Sequence, residues 1–183
     1  IESHRGAIHI HSTPKKGSTF TLFFPVTKKR VTTTEAIIRN ELYSHNEHIF
    51  LIDDEILVTE TIKNLLENIG YRVSLAYSGL EAVRIYKEKY QEFDVVIIDM
   101  AMPVISGFET FRRLKKINSS IAAIITSGYA PNAEIEQALE EGVLGFLQKP
   151  CDRYEIHILI QKVLGAKLLN MKNASENRSS SLK

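Results

Sequence analysis

The chain has 183 residues, a hydrophobic fraction of 44%, and 23 Lys+Arg against 22 Asp+Glu, for a formal net charge of +1. That balance argues against a dedicated nucleic-acid surface or a surface for anionic membranes, and the apolar content can fill the core of one ordinary domain with extensions. One cysteine, Cys151, excludes an internal disulfide and fits a reducing, cytoplasmic setting; no apolar run approaches the ~20 residues needed to span a bilayer, and no signal-peptide pattern opens the chain.

The chain opens at Ile1, which reads as a piece of something longer. Ala7-Ile8-His9-Ile10-His11 alternates apolar and polar, the pattern of a half-buried strand. Thr13-Pro14-Lys15-Lys16-Gly17 is a turn, and Ser18 to Phe24 is a second strand stopped by Pro25. An isolated hairpin is marginal in water, so this one is expected to belong to a larger sheet. His4-x-Gly6-x-Ile8-x-Ile10-x-Ser12 followed by Gly17-Ser18-Thr19-Phe20-x-Leu22-x-x-Pro25 resembles the last hairpin of the ATPase domain of sensor histidine kinases. The likeness covers about the first 25 residues, and Arg5 stands where that family usually has a second glycine. The asparagine-bearing helix and the glycine-rich lid of such domains do not occur here, so the resemblance implies no ATP binding by this piece. His9 and His11 share a strand face, yet no third ligand is near in sequence, so they read as solvent-facing rather than as metal ligands.

Residues 28–47 open with Lys28-Lys29-Arg30 and read as a solvated connector, with a short helix expected over residues 35–43 behind a Thr34 cap. From His48 the pattern repeats. Ile49 to Ile52 is an apolar strand ending in Asp53-Asp54-Glu55, and residues 56–69 carry apolar side chains at helical spacing, closed by Gly70. Tyr71 to Leu75 is a strand, and Ser78 to Tyr90 a helix with a capping box from Ser78 and Glu81. Val95 to Asp99 is short, apolar and β-branched until its final carboxylate, as a strand buried on both faces should be. Gly107 to Ile117 is a helix, Ile121 to Ile125 a strand, Pro131 to Glu141 a helix closed by Gly142, Val143 to Leu147 a strand, and Asp152 to Leu164 the last helix. Five βα units predict an α/β flavodoxin-like, doubly wound parallel sheet of order 2-1-3-4-5 with right-handed crossovers. Residues 167–183 end in Ser-Glu-Asn-Arg-Ser-Ser-Ser-Leu-Lys, cannot bury a core and read as a flexible tail.

In such a sheet the strand ends meet at one edge, which brings together Asp53, Asp54, Asp99, Thr126 and Lys149. Crowded carboxylates repel and call for a cation. Hard oxygen ligands suit Mg²⁺, the lysine adds a fixed positive charge, and the hydroxyl can donate to an anion. Carboxylate, divalent cation, lysine and hydroxyl together make a phosphoryl-transfer site, in which a carboxylate can be the nucleophile.

Asp53-Asp54, Asp99-x-x-Met102-Pro103-x-x-x-Gly107, Thr126 and Lys149-Pro150 resemble the signature of response-regulator receiver domains over residues 48–166. The resemblance implies that Asp99 accepts the phosphoryl group and that Asp54, Asp99 and the carbonyl of Ala101 ligate Mg²⁺, with Asp53 acting through water. It implies that Thr126 holds a phosphoryl oxygen, that Lys149 pairs with the phosphate, that Thr126 and Phe146 form the switch, and that Lys149-Pro150 is cis. A kinase hairpin before a receiver resembles a hybrid sensor kinase. The partners implied are a histidine kinase dimerisation and phosphotransfer domain and a histidine phosphotransfer protein, with no nucleic acid and no membrane contact.

The rival enzyme class is a haloacid-dehalogenase-type aspartyl phosphatase, which needs an acid two residues after its nucleophile; here that position is Ala101. A degenerate receiver kept only for protein binding is disfavoured by the complete polar set. Phe146 reads first as core, Cys151 as a small buried filler, and His157 as a surface residue with no visible partner. Ala101 and Gly128 stand where receivers often hold side chains that orient a hydrolytic water, and neither can do so, which predicts a long-lived phosphoryl group.

Overall fold

A computed structural model of the chain describes residue 1 and residues 5–26, 46–130 and 133–180, with side chains described through residue 167. The chain divides into two compact units, Ile1–Asn40 and Glu41–Lys183. The helix expected over residues 35–43, and Pro131 at the start of its helix, lie outside the described residues.

In the first unit β1 (Ala7–Thr13) pairs antiparallel with β2 (Gly17–Phe23). Ile8 faces Leu22 and Ile10 faces Phe20 across the ladder, so the alternation collects four apolar side chains on one face. The expected half-burial does not occur: all four are exposed. Two strands have no second layer of their own, and among the described residues of this unit nothing covers that face.

In the second unit β3 (His48–Ile52), β4 (Arg72–Ala76), β5 (Val95–Asp99), β6 (Ala123–Ser127) and β7 (Gly145–Gln148) form one parallel sheet of order β4-β3-β5-β6-β7. This is the predicted order, 2-1-3-4-5. Alternation within the strands splits the core into two layers. Phe50, Ile52, Val96, Ile98, Ala123 and Ile125 pack under α2 (Gly79–Lys89), α3 (Gly107–Ile117) and α4 (Ala133–Glu140). Ile49, Leu51, Val95, Ile97 and Ile124 pack under α1 (Ile56–Glu67) and α5 (Arg153–Ser180). The three central strands are buried along their whole length, which is why their sequences lack polar alternation.

Local chemistry fixes the helix ends. The Ser78 and Ser106 hydroxyls accept the amides of Glu81 and Glu109, three residues on. Gly70 and Gly142, at φ +95 and +102, take the left-handed C′ position, and the next amides, Tyr71 and Val143, reach back to the carbonyls of Leu66 and Ala138.

Two sequence expectations need correction. The last helix does not stop at Leu164 but continues through most of the expected tail, to Ser180. His157 is not a surface residue: it is 4% exposed, with its Nδ1 2.9 Å from the Tyr71 hydroxyl. Gln161, one turn on, donates to the same hydroxyl, and burial pushes the Tyr71 phenol up to about 12. The pair stays polar inside an apolar helix face because each group supplies the other's hydrogen bond. No helix among the described residues is long and apolar enough to cross a membrane.

At the opposite end of the sheet from the strand termini, His48 is buried with its Nε2 2.8 Å from the Ser74 hydroxyl and its ring edge-on to Phe93. Burial, helped by Arg72, lowers its pKa below 6.5 against the opposing pull of Glu92 and Asp94. A lowered pKa means the unfolded chain takes up the proton first, so the contribution of neutral His48 is complete above the unfolded value and is lost as pH falls from there through the lower folded value. Compared with the parent, His48→Gln should show a flatter fall of melting temperature between about pH 7.5 and about 5.5; equal slopes would remove His48 from the account.

Candidate phosphoacceptor site

Asp53 follows β3, Asp99 ends β5 and Thr126 lies near the end of β6. Ile52 is in register with Ile98, and Asp99 with Thr126, so the three positions stand side by side along the carboxyl edge of the sheet. Lys149 follows β7, and its amide donates to the Ser127 carbonyl at 2.7 Å, which extends the β6–β7 pairing to the lysine. The Lys149–Pro150 bond is cis, as expected.

The lysine ammonium is the centre of the arrangement. Lys149 Nζ lies 2.7 Å from Asp53 Oδ2 and 2.7 Å from Asp99 Oδ1. Asp53 and Asp99 are 1% and 5% exposed, so water can do little to stabilise their charge and the ammonium must. Burial alone would push the lysine pKa down; its hydrogen bonds to the two carboxylates outweigh that, and the pKa is raised. The remaining carboxylate oxygens are also held. Asp53 Oδ1 accepts the Glu55 amide and Asp99 Oδ2 accepts the Ala101 amide, each at 2.9 Å. Thr59, fully buried on α1, donates to the Asp53 carbonyl at 3.2 Å and ties the helix to the acidic turn. Such i−4 and loop bonds by a helix threonine have no distinctive sequence signal.

Asp53, Asp54 and Asp99 each offer a carboxylate oxygen within 4.8 Å of the others, the one such group of metal-ligating side chains found among the described residues. A cluster of oxygen donors with one half-exposed member, Asp54, suits a hard divalent cation that keeps part of its water shell. His9 and His11 belong to no such group.

The lesser residues fall as follows. Thr126 is buried, and Phe146 is half-buried against the core layer beneath α2 to α4. Cys151 is half-buried against the opposite layer, and burial raises its pKa, as suits a filler rather than a nucleophile. Ala101 offers the site a backbone amide and no acidic group.

The loop from Asp99 to α3 is tightly determined. Met102 is buried, and Ile105 lies so close to Gly79 that a Cβ there would meet its side chain at 2.6 Å. Between them Val104 has φ 70, and the Ile105 amide bonds back to the Pro103 carbonyl at 2.9 Å, a strained three-residue turn that leaves the valine exposed. Strain of this kind persists where the surroundings over-determine the backbone, and it gathers near functional sites.

The family profile described as the response regulator receiver domain matches residues 49–161. The chain belongs to this family. Among solved structures, a response regulator receiver domain protein from Clostridium thermocellum is 37% identical with a TM-score of 0.65, covering 67% of this chain and 98% of its own. The receiver domain of sensor histidine kinase PA1611 from Pseudomonas aeruginosa PAO1, with a magnesium ion coordinated in its active-site cleft, is 27% identical with a TM-score of 0.59, covering 66% and 98%. Among curated proteins, the sensor kinase CckA of Brucella abortus is 30% identical over 172 residues, 90% of this chain and 18% of CckA. The transcriptional regulatory protein ZraR of Klebsiella oxytoca is 34% identical over 116 residues, 63% of this chain and 26% of ZraR. The chain thus spans 26% of the length of ZraR and 18% of that of CckA.

Gly107 shows how closely this receiver's site is built. A Cβ on it would lie 2.1 Å from the Asp99 carbonyl oxygen, so α3 starts in contact with the backbone of the acidic residue itself. Because the obstacle is backbone, no side chain can swing away. Gly107→Ala should cost about 2 kcal/mol or more of unfolding free energy in urea titration; an unchanged midpoint would show that the loop can give.

Proposed function

We propose that residues 48–166 are the phosphoacceptor module of a two-component phosphorelay, taking a phosphoryl group from a phosphohistidine onto Asp99. The observation that carries this reading is the Lys149 ammonium bridging the buried carboxylates of Asp53 and Asp99 at 2.7 Å each. One oxygen of Asp99 would form the new O–P bond as the P–N bond to the donor imidazole breaks, with the bonding pair left on nitrogen. The raised pKa keeps Lys149 cationic beside the transferring group, where a fixed charge stabilises developing negative charge. The Thr126 hydroxyl would receive a phosphoryl oxygen, and Phe146 with Thr126 would report occupancy to the surface of α4. Mg²⁺ on Asp54, Asp99 and the Ala101 carbonyl, with Asp53 through water, would supply charge neutralisation at the phosphoryl oxygens.

Asp99 is nearly buried, so a donor must bring its histidine to the mouth of the site. Ile56 and Leu57 in the first turn of α1, and Val104 and Tyr129 on the loops after β5 and β6, are all exposed and apolar. They suit an apolar face on a kinase dimerisation and phosphotransfer domain or on a histidine phosphotransfer protein. The aspartyl phosphatase alternative has lost its support, since Ala101 cannot act as leaving-group acid.

The wider setting proposed is a hybrid sensor kinase: residues 1–27 as the closing hairpin of an ATPase domain, 28–47 as linker, 48–166 as receiver and 167–183 as a C-terminal extension. Similarity to the sensor kinase extends over 90% of the chain, against 63% for the transcriptional regulator, so it takes in sequence outside the receiver. The exposed apolar face of the hairpin suits a strand pair that completes a larger sheet.

Incubation with acetyl phosphate and Mg²⁺ should add one phosphoryl mass to the intact chain, EDTA should prevent it, and Asp99→Asn should abolish it; full phosphorylation of the variant would sink the assignment. Mg²⁺ at a hundred times its dissociation constant should stabilise the fold by about 2.7 kcal/mol, and Asp54→Ala should remove most of that gain. An undiminished Mg²⁺ response in that variant would move the ligand role elsewhere.

The lifetime of the phosphoryl group follows from two small residues. Ala101 has no polar side chain, and a Cβ at Gly128 would meet no heavy atom within 4 Å, so that side is open to water but nothing there orients it. Orientation supplies more rate than access does. Ala101→Asn combined with Gly128→Glu should speed loss of the added mass by about tenfold, the equivalent of about 1.4 kcal/mol; unchanged or slower loss would show that access governs the rate.

A further inference from the structure

A second cluster of charged side chains lies away from the acidic edge, between α3 and the end of α4. An open hollow of about 550 Å³ is lined by Glu109, Arg112, Lys115, Lys116, Ser119 and Glu141. Arg112, Lys115 and Lys116 stand at i, i+3 and i+4 and so share one face of α3. The macrodipole accounts for cations in the last turn of a helix, but Arg112 is further in, and neither the hollow nor the ordering of the side chains follows from it.

That ordering is specific. The Arg112 guanidinium lies over the Phe108 ring at 4.2 Å from its centroid, and the Lys115 ammonium over Phe111 at 5.7 Å. Both rings are buried, so the cations rest on fixed platforms. Glu141 supplies the anion in this structure. Arg112 Nε donates to Glu141 Oε2 at 2.8 Å and Arg112 Nη2 pairs with Oε1, a two-pronged grip, while Lys115 Nζ donates to the Glu141 backbone carbonyl. The grip shows that the fork is aimed at a pair of anionic oxygens within the hollow. Glu109 is taken up by Arg113 on the other side, at 2.8 Å. Lys116 lines the hollow and adds a third cation.

We infer that this hollow binds a small polyanion carrying two or more phosphate or carboxylate groups, with the Glu141 side chain as the internal competitor that the ligand displaces. The Arg112 fork takes one anionic group bidentately. Lys115 and Lys116 take the second. Displacement is feasible because the Arg112 and Glu141 side chains are 40% and 33% exposed, so the carboxylate can swing into water, and an ion pair at such a site holds weakly. The hollow is of the size that ordinary small ligands occupy.

The test is calorimetric titration of the whole chain with inorganic pyrophosphate and, separately, citrate, in buffer stripped of divalent metal by chelating resin and held at constant ionic strength, with sulfate as a charge control. At least one of the two probes should bind saturably with a dissociation constant below about 1 mM, and which one binds separates phosphate from carboxylate recognition. Glu141→Gln should tighten binding at least threefold by removing the competitor. Arg112→Ala should weaken it at least tenfold, and Lys116→Ala, at an exposed position that bears no packing role, should weaken it as well, so the result does not depend on one variant folding. Asp99→Asn should leave it unchanged, which separates this hollow from the phosphoacceptor site. Absence of saturable binding by both probes, equal binding of sulfate, unchanged or weaker binding in Glu141→Gln, or loss in Asp99→Asn with retention in Arg112→Ala would each overturn the inference.

Discussion

One ammonium group holds the acidic edge of this receiver together. Two carboxylates shielded from water would each carry a large desolvation cost, and side by side they would repel. Lys149 answers both at once by standing 2.7 Å from each. The contact joins the end of β7 to the ends of β3 and β5, three and two places away across the sheet. The ion pairs therefore depend on the parallel architecture, since only a sheet whose strands all end at the same edge delivers these three residues to one point. The architecture in turn depends on the apolar runs that precede each polar residue. Ile49 to Ile52 and Val95 to Ile98 are fully enclosed, and the first charged side chain occurs where the sheet meets solvent.

Rigidity around the site comes from backbone contacts more than from side chains. The Asp99 carbonyl is backed by Gly107 and its carboxylate is anchored by the Ala101 amide. Asp53 is fixed by its own turn through the Glu55 amide and by Thr59. Asp54 alone among the three acids is half-exposed. The division suits a site in which two carboxylates are preset and one meets the solvent through which a metal or a donor would arrive.

Much of this was legible in the sequence, and the failures have physical causes. The five strands, their order and the convergence of Asp53, Asp54, Asp99, Thr126 and Lys149 follow from alternation of short apolar runs with amphipathic stretches, a pattern with one common solution. Gly70, Gly142 and Ser78 were readable as helix boundaries because each serves a local backbone need. His157 was not readable, because its partner Tyr71 is 86 residues away and a polar residue on a helix gives no sign of a distant hydroxyl. The stacking of Arg112 and Lys115 on Phe108 and Phe111 was equally hidden: the spacing shows a basic face but not the carboxylate that follows α4.

The last helix shows where composition misleads. The polar stretch after residue 166 was read as a tail because it could not bury a core, and that argument is sound for packing. It says little about helicity, which propagates cheaply once a helix has been nucleated by packed turns. Ile156, Ile160 and Val163 bury against the sheet and set the helix axis, and Lys167 caps the packed portion by donating to the Asp94 carbonyl at 3.0 Å. Beyond that point α5 continues to Ser180 without a proline to stop it. Asp94 is thus the meeting point of two chain segments: its carboxylate receives the amide of His48, where β3 begins, and its carbonyl receives Lys167, where the packed part of α5 ends. The first strand and the last packed turn of the receiver are tied at the edge opposite Asp99, which leaves the acidic edge to the loops alone.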